Sequence, residues 1–117
     1  MVVHHDQETF AKRSQAERDG MLQESVQLCK HLHAQGRYFG AAPLRPPSES
    51  ICVRVRDGKR FVTDGPFAET REQIGGYFVI DAKDRDDAIE IAGRIPGARI
   101  GTVEVRTIVE VDGLPER

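Results

Sequence analysis

The sequence predicts an α+β fold of the ferredoxin-like, split β-α-β kind: an antiparallel sheet with its helices on one face. Three observations carry that expectation. Two stretches with helical periodicity, residues 14–35 and 85–93, each open on a capping side chain. Shorter strand-like segments flank them, giving the order β-α-β, hairpin, β-α-β. One of those segments, residues 76–81, is apolar on both faces (Tyr77, Phe78, Val79, Ile80), the pattern of a central strand.

Each element follows from its residues. Val2 and Val3 start a short strand that reaches His5. Ser14-Gln15-Ala16-Glu17 is a capping box, in which the Ser14 hydroxyl takes the Glu17 amide. Met21, Ser25, Leu28, Cys29 and Leu32 then recur at helical spacing and form one core-facing stripe. Gly20 weakens the second turn by about 1 kcal/mol relative to Ala, and Gly36 terminates the helix. Residues 38–42 read as a strand, and Pro43, Pro46 and Pro47 make 43–50 a surface loop. Ile51, Val53 and Val55 alternate with Cys52, Arg54 and Arg56, the signature of a half-buried strand. Asp57-Gly58 is a type I′ hairpin turn, returned by strand 59–63. Asp84 caps the second helix, with Asp86 and Asp87 in its first turn and Ala88, Ile91 and Ala92 toward the core. Alternation from Thr102 to Val111 predicts the last strand, followed by a frayed polar tail, 112–117.

At 117 residues, with 38% hydrophobic and 31% charged residues, the chain reads as one globular domain spanning 1–117. A net charge of −2 gives no general attraction to nucleic acid, although Arg54, Arg56, Lys59 and Arg60 form a local basic patch. No apolar run is long enough to cross a membrane. MVVHHDQE lacks the regions of a signal peptide, so the expectation is a cytoplasmic protein with Cys29 and Cys52 as free thiols.

The candidate chemistry gathers around "FVTDGPFAETREQIGGYFVI". Gly65 and Pro66 restrict the backbone, and Phe67, apolar in a polar loop, is expected to plug into the core. Asp64 sits just before this clamp, with Glu69 and Glu72 following. Neighbouring carboxylates raise one another's pKa, as a general acid or base requires. Alternatively Asp64 only shapes its own turn. Gly75-Gly76 permits close approach of a ligand or another backbone. His4-His5-Asp6 is the second cluster. On a strand, His4 and His5 face opposite sides, so one imidazole at most shares a pocket with Asp64; alternatively both are solvated at a loose terminus. His31 and His33 lie about 200° apart around a helix and are not a metal pair. Glu104 and Arg106 share one side of the last strand.

The stretch from Val62 to Arg106 carries Thr-Asp-Gly-Pro-Phe-Ala-Glu, Glu-Gln-Ile-Gly-Gly-Tyr-Phe, Ile-Pro and Val-Glu-Val-Arg in order. It closely resembles the DGPF branch of the YCII-related domain family, and the resemblance extends over nearly the whole chain from Ser14 on. It implies a dimeric ferredoxin-like fold, an α/β barrel-like homodimer. It also implies motif positions at Thr63, Asp64, Gly65, Pro66, Phe67, Glu69, Glu72, Gly75, Gly76, Glu104 and Arg106. The wider family is expected to include enzymes with a His–Asp pair in a cleft. Some relatives of this branch are linked to sigma-factor-controlled transcription. His5-Asp6 matches the end of the family's first strand, and the short start before it implies either a late-assigned start or a shortened edge strand. Two functional readings follow. In one, Asp64 and His5 are catalytic in a cofactor-independent elimination or hydrolysis of a small organic molecule, with Thr63, Gly65, Pro66, Phe67, Glu69, Glu72, Gly75 and Gly76 binding the substrate and no metal. In the other, the homodimer is a non-enzymatic ligand-binding or regulatory module.

Overall fold

A four-stranded antiparallel sheet carries the molecule, with strands β1 (Val2–Asp6), β2 (Tyr38–Pro43), β5 (Glu72–Ile80) and β6 (Thr102–Glu104) in the order β2-β5-β1-β6. Strands β3 (Ile51–Arg56) and β4 (Lys59–Asp64) form a separate two-stranded hairpin between β2 and β5. Helices α1 (Gln7–Ala11) and α2 (Gln15–Ala34) join β1 to β2, and α3 (Arg85–Arg94) joins β5 to β6. Two split β-α-β units in one antiparallel sheet make a mixed α+β architecture consistent with the ferredoxin-like plan. The computed structural model describes residues 1–68 and 70–117.

Local chemistry explains the helix ends. Ser14 caps α2 by accepting the Glu17 amide at 3.1 Å. At the other end Gly36, at φ +71°, closes the helix. Its N–H donates to the His33 carbonyl at 3.0 Å, and the Arg37 N–H donates to the Leu32 carbonyl at 2.9 Å. That double closure is a Schellman motif, which needs a residue tolerant of positive φ. Asp84 caps α3 through the Asp87 amide at 2.8 Å. Asp57 and Gly58 both have positive φ, 51° and 74°, as the type I′ turn requires. Helix α1 is an addition to the sequence reading. Asp6 accepts the Thr9 amide at 3.2 Å, and its cap turns the chain directly out of β1.

The core lies between the sheet and the two longer helices: Leu28 and Leu32 from α2, Ile91 and Ile95 from the α3 end, and Phe78 from β5. Leu32 is 1% exposed, and burying such a side chain contributes about 1.5–3 kcal/mol. Arg37, just after α2, is ion-paired to Asp87 of α3. Asp87 also accepts the Lys83 amide at 2.8 Å, and the Arg37 Nε donates to the Asp81 carbonyl at 3.1 Å. This cluster locks the β5–α3 turn against the start of β2.

Four expectations are corrected. First, β1 is not a sheet edge. It has five residues and lies inside the sheet, paired with β5 on one side and β6 on the other. Second, the last strand stops at Glu104 rather than Val111. Glu104 pairs with Val2, where the β1 ladder ends, so residues beyond it have no strand to pair with. Third, Ile51, Val53 and Val55 are exposed rather than half-buried, because β3 pairs only with β4 and the hairpin stands off the main sheet. Fourth, Phe67 is 80% exposed and does not plug into the core. The molecule is accordingly flat and open. Its radius of gyration is 16.3 Å, against about 13 Å expected for a compact domain of this length.

The Arg37–Asp87 lock gives a stability test. Asp87→Ala should lower unfolding free energy by about 1–3 kcal/mol, since it orphans a half-buried guanidinium and an amide. Leu32→Ala should cost about 2–5 kcal/mol through the cavity it leaves. Urea unfolding of both variants checks the two values and their order.

Candidate functional site

Strand β1 sends Val3 and His5 toward the helices and His4 toward the open face of the sheet. The register shifts between Val3 and His4, where Val3 pairs with Gly76 and His4 with Ile74. Gly75 is therefore the extra residue of a β-bulge, and the His5 imidazole lies against it. A Cβ on Gly75 would come 1.8 Å from the His5 Nε2, so only glycine admits the ring. Gly76 answers a backbone instead: a Cβ there would meet the Ala42 carbonyl oxygen at 3.0 Å.

His5 is 7% exposed and is fixed on three sides. Phe10 of α1 packs edge-on, with ring centroids 4.6 Å apart at 83°. The Gln7 side-chain amide donates to Nε2 at 3.1 Å, which puts the imidazole proton on Nδ1. Nδ1 is shielded from solvent and has no protein partner among the described residues. Burial pushes the His5 pKa below its ordinary 6.5, opposed by the nearby Asp6 and Glu72 carboxylates. The ring is therefore neutral at neutral pH, the form that can accept or relay a proton.

His5 lines a cleft of about 540 Å³ between α2 and the sheet, a size typical of small-molecule sites. Its walls include Met21, Ser25, Val26 and Cys29 from α2, with Phe78 and the Gly75-Gly76 bulge from β5. The stripe read as core thus divides: Leu28 and Leu32 enter the core, Met21 and Ser25 face the cleft, and Cys29 packs against the core while also lining the cleft. The change from leucine to smaller or more polar residues was the available signal. Burial pushes the Cys29 thiol pKa up, which disfavours the nucleophilic thiolate form. Gln7 and Phe10, which hold the imidazole, were missed because α1 was not anticipated.

The cleft brings His5, Gly75 and Gly76 together, and the remaining sequence candidates lie elsewhere in the chain. Thr63 and Asp64 are exposed on β4, and neither lines the cleft. Gly65, at φ +89°, donates its N–H to the Ser50 carbonyl at 2.7 Å, and its carbonyl accepts the Cys52 thiol at 3.2 Å. Pro66 and Phe67 follow in the same connection, outside the cleft lining. Glu72 is exposed at the start of β5 and accepts the Thr102 hydroxyl at 3.4 Å. The expectation for Glu69 lies outside the described residues. His4 pairs with Glu104 at 3.0 Å on the face of the sheet away from His5, and Asp6 pairs with Arg71 at 3.4 Å. Among the described residues no group of three or more His, Cys, Asp or Glu could hold a metal ion, and no helix is long and apolar enough to cross a membrane.

The model of the YCII-related domain matches residues 1–112, so the match includes the β1 strand and His5. The chain belongs to the YCII-related domain family. A curated relative, "Uncharacterized protein R00369" of Rhizobium meliloti (strain 1021), is 27% identical over 110 residues. That alignment spans 92% of this chain and 89% of the relative. The relative's name assigns no reaction, so the activity of this YCII-related protein has to be argued from its own geometry.

The buried imidazole has a measurable pH signature. His5 should titrate below 6.5 in an NMR titration of its ring protons. Because its pKa is lowered in the folded state, the unfolded chain takes up the proton first as pH falls. The His5 contribution is therefore intact above pH 6.5 and declines on acidification toward the folded-state pKa. His5→Gln should remove that segment of the stability–pH curve. Gly75→Ala should expel the ring from its seat and return its titration toward the ordinary value.

Proposed function

We propose that this YCII-related protein acts on a small organic molecule held between α2 and the sheet, with His5 transferring the proton. The observation that carries this reading is a nearly buried imidazole on a cleft wall with one ring nitrogen unpartnered. Keeping a buried donor without an acceptor costs about 1–3 kcal/mol, and unspent polar capacity of this kind concentrates at working sites. Elimination and hydrolysis both fit, since each needs a positioned acid or base. The proposed chemistry is proton transfer alone and asks for no cofactor.

Asp64 enters the same reading through assembly. It stands at the end of an exposed hairpin, and the homodimer is the proposed working form in which a second copy would bring that hairpin toward the cleft. The flat shape, the exposed β3–β4 apolar residues, and Val109 at 78% exposure in the unpaired C-terminal stretch support such an assembly. Thr63, Gly65, Pro66, Phe67, Glu69 and Glu72 would then act as binding residues around Asp64. The same exposed apolar arms also suit a second reading, a non-enzymatic dimer that binds a ligand and docks on a regulatory partner.

Incubating the protein with a cellular small-molecule extract, followed by mass spectrometry, separates these readings. The enzymatic reading expects at least one compound to be consumed by the wild type and about 100-fold more slowly, or slower still, by His5→Gln. Asp64→Asn should show a comparable loss. Equal consumption by wild type and His5→Gln rejects the role of His5. A compound retained and recovered unchanged favours the regulatory reading. Sedimentation should give twice the single-chain mass, and Val53→Glu should shift it toward the monomer; a monomeric wild type overturns the assembly.

A further inference from the structure

The charged groups that line the cleft share one sign. Among the described residues, the titratable groups with basic side chains are His5, Arg18, Lys30 and His33, and no Asp or Glu is present. The whole chain, by contrast, carries 19 acidic residues against 17 Lys and Arg, so an acid-free lining is not a reflection of composition. The rest of the lining is mostly apolar, with Ser25 and Tyr38 as polar exceptions.

Arg18 is the informative cation. It is half-buried, and among the described residues its guanidinium donates only to neutral oxygens, the Gln15 side chain at 3.0 Å and the Ala11 carbonyl at 3.5 Å. Its neighbours differ: Arg13 pairs with Glu17, and Arg99 makes two bonds to Glu24. Arg18 is thus held in place by neutral groups, with no carboxylate paired to it among the described residues. Topology puts it at the His5 end of the cleft. Helix α2 runs back antiparallel to β1, so its first turns lie over the C-terminal end of that strand. Lys30 is 12 residues further along, roughly 18 Å away at the helical rise, near Tyr38 at the other end. One small ligand cannot bring a single anionic group to both.

We infer that the ligand of this cleft is a small molecule with an apolar body and one anionic oxygen group, such as a carboxylate, with the anion at Arg18 beside His5. Its body extends along Met21, Cys29 and Phe78. The inference rests on the cleft being the working site, as proposed above, and adds the class of compound it takes. A planar guanidinium matches a carboxylate with two parallel hydrogen bonds. Among the described residues no carboxylate lines the cleft itself, and the nearest ones acting on His5, Asp6 and Glu72, lie outside its walls, with Asp6 paired to Arg71.

The test uses matched probes, benzoate with benzamide and 2-naphthoate with 2-naphthamide, measured by calorimetry and amide NMR on the full chain. At least one carboxylate should bind with perturbations centred on His5, Phe10, Arg18 and Gly75. Its amide should bind about tenfold or more weakly, the loss of a charge-assisted pair. Carboxylate binding should raise the His5 titration midpoint, and the amide should leave it in place. Arg18→Gln should erase the preference, and Lys30→Gln should keep it. Equal affinity within both pairs, binding of neither carboxylate, or a preference lost only in Lys30→Gln overturns the inference. So do intermolecular NMR contacts showing that a second copy's chain fills the cleft. Equal affinities leave any His5-dependent consumption of a compound standing. An intact carboxylate preference without such consumption would sink only the catalytic reading.

Discussion

The close packing of β1 against three glycines is the constraint on which the rest of the structure depends. Gly75 admits the His5 ring. A Cβ on Gly97 would come 2.4 Å from the Val3 Cγ1, and one on Gly101 would come 2.1 Å from the His4 carbonyl oxygen. Three successive residues of β1 are thus enclosed by neighbouring elements with no room for a side chain. The enclosure puts β1 between β5 and β6, and the bulge at Gly75 turns His5 into the cleft while His4 meets Glu104 on the other face. Shifting β1 by one residue would exchange the two histidines and dismantle both arrangements.

The cleft and the open surfaces have one origin. Helices α2 and α3 cover one face of the sheet, but the core between them is small, its buried cluster among the described residues being Leu28, Leu32, Phe78, Ile91 and Ile95. Beside this core the cleft runs along α2 from Arg18 to His33, so Leu28 and Leu32 are buried while Met21 and Ser25 line open space. The hairpin and the stretch after Glu104 receive nothing from this core. Their alternating apolar residues are patterned for burial, yet Ile51, Val62 and Val109 are exposed in the single chain. Large exposed apolar surface on arms of this kind marks interaction surface.

Most of the fold was legible in particular residues. Ser14 and Glu17, Gly36, Asp57-Gly58 and Asp84 each specify a local backbone event within four residues of themselves, and each event is present. The element order was legible for the same reason, and so was the split of His4 and His5 to opposite faces. What was misread depended on distant partners. Alternation in 102–111 and 51–56 says that a strand would fit, but not whether a partner strand or a covering layer lies alongside. Phe67 says that an apolar surface is wanted, not where it is.

The sequence by itself determined most of the secondary elements, the family resemblance carried by residues 62–106, and His5 and Gly75-Gly76 as candidates, because helix caps, turn chemistry and strand alternation are local properties. Only the tertiary structure decided that His5 is buried over Gly75, that Gln7 and Phe10 hold it, that Arg18 faces the same cleft, and that Asp64 lies on a separate hairpin. Those are relations between segments up to 70 residues apart, such as His5 and Gly75, and they arise from strand order and register, which no short stretch of residues contains.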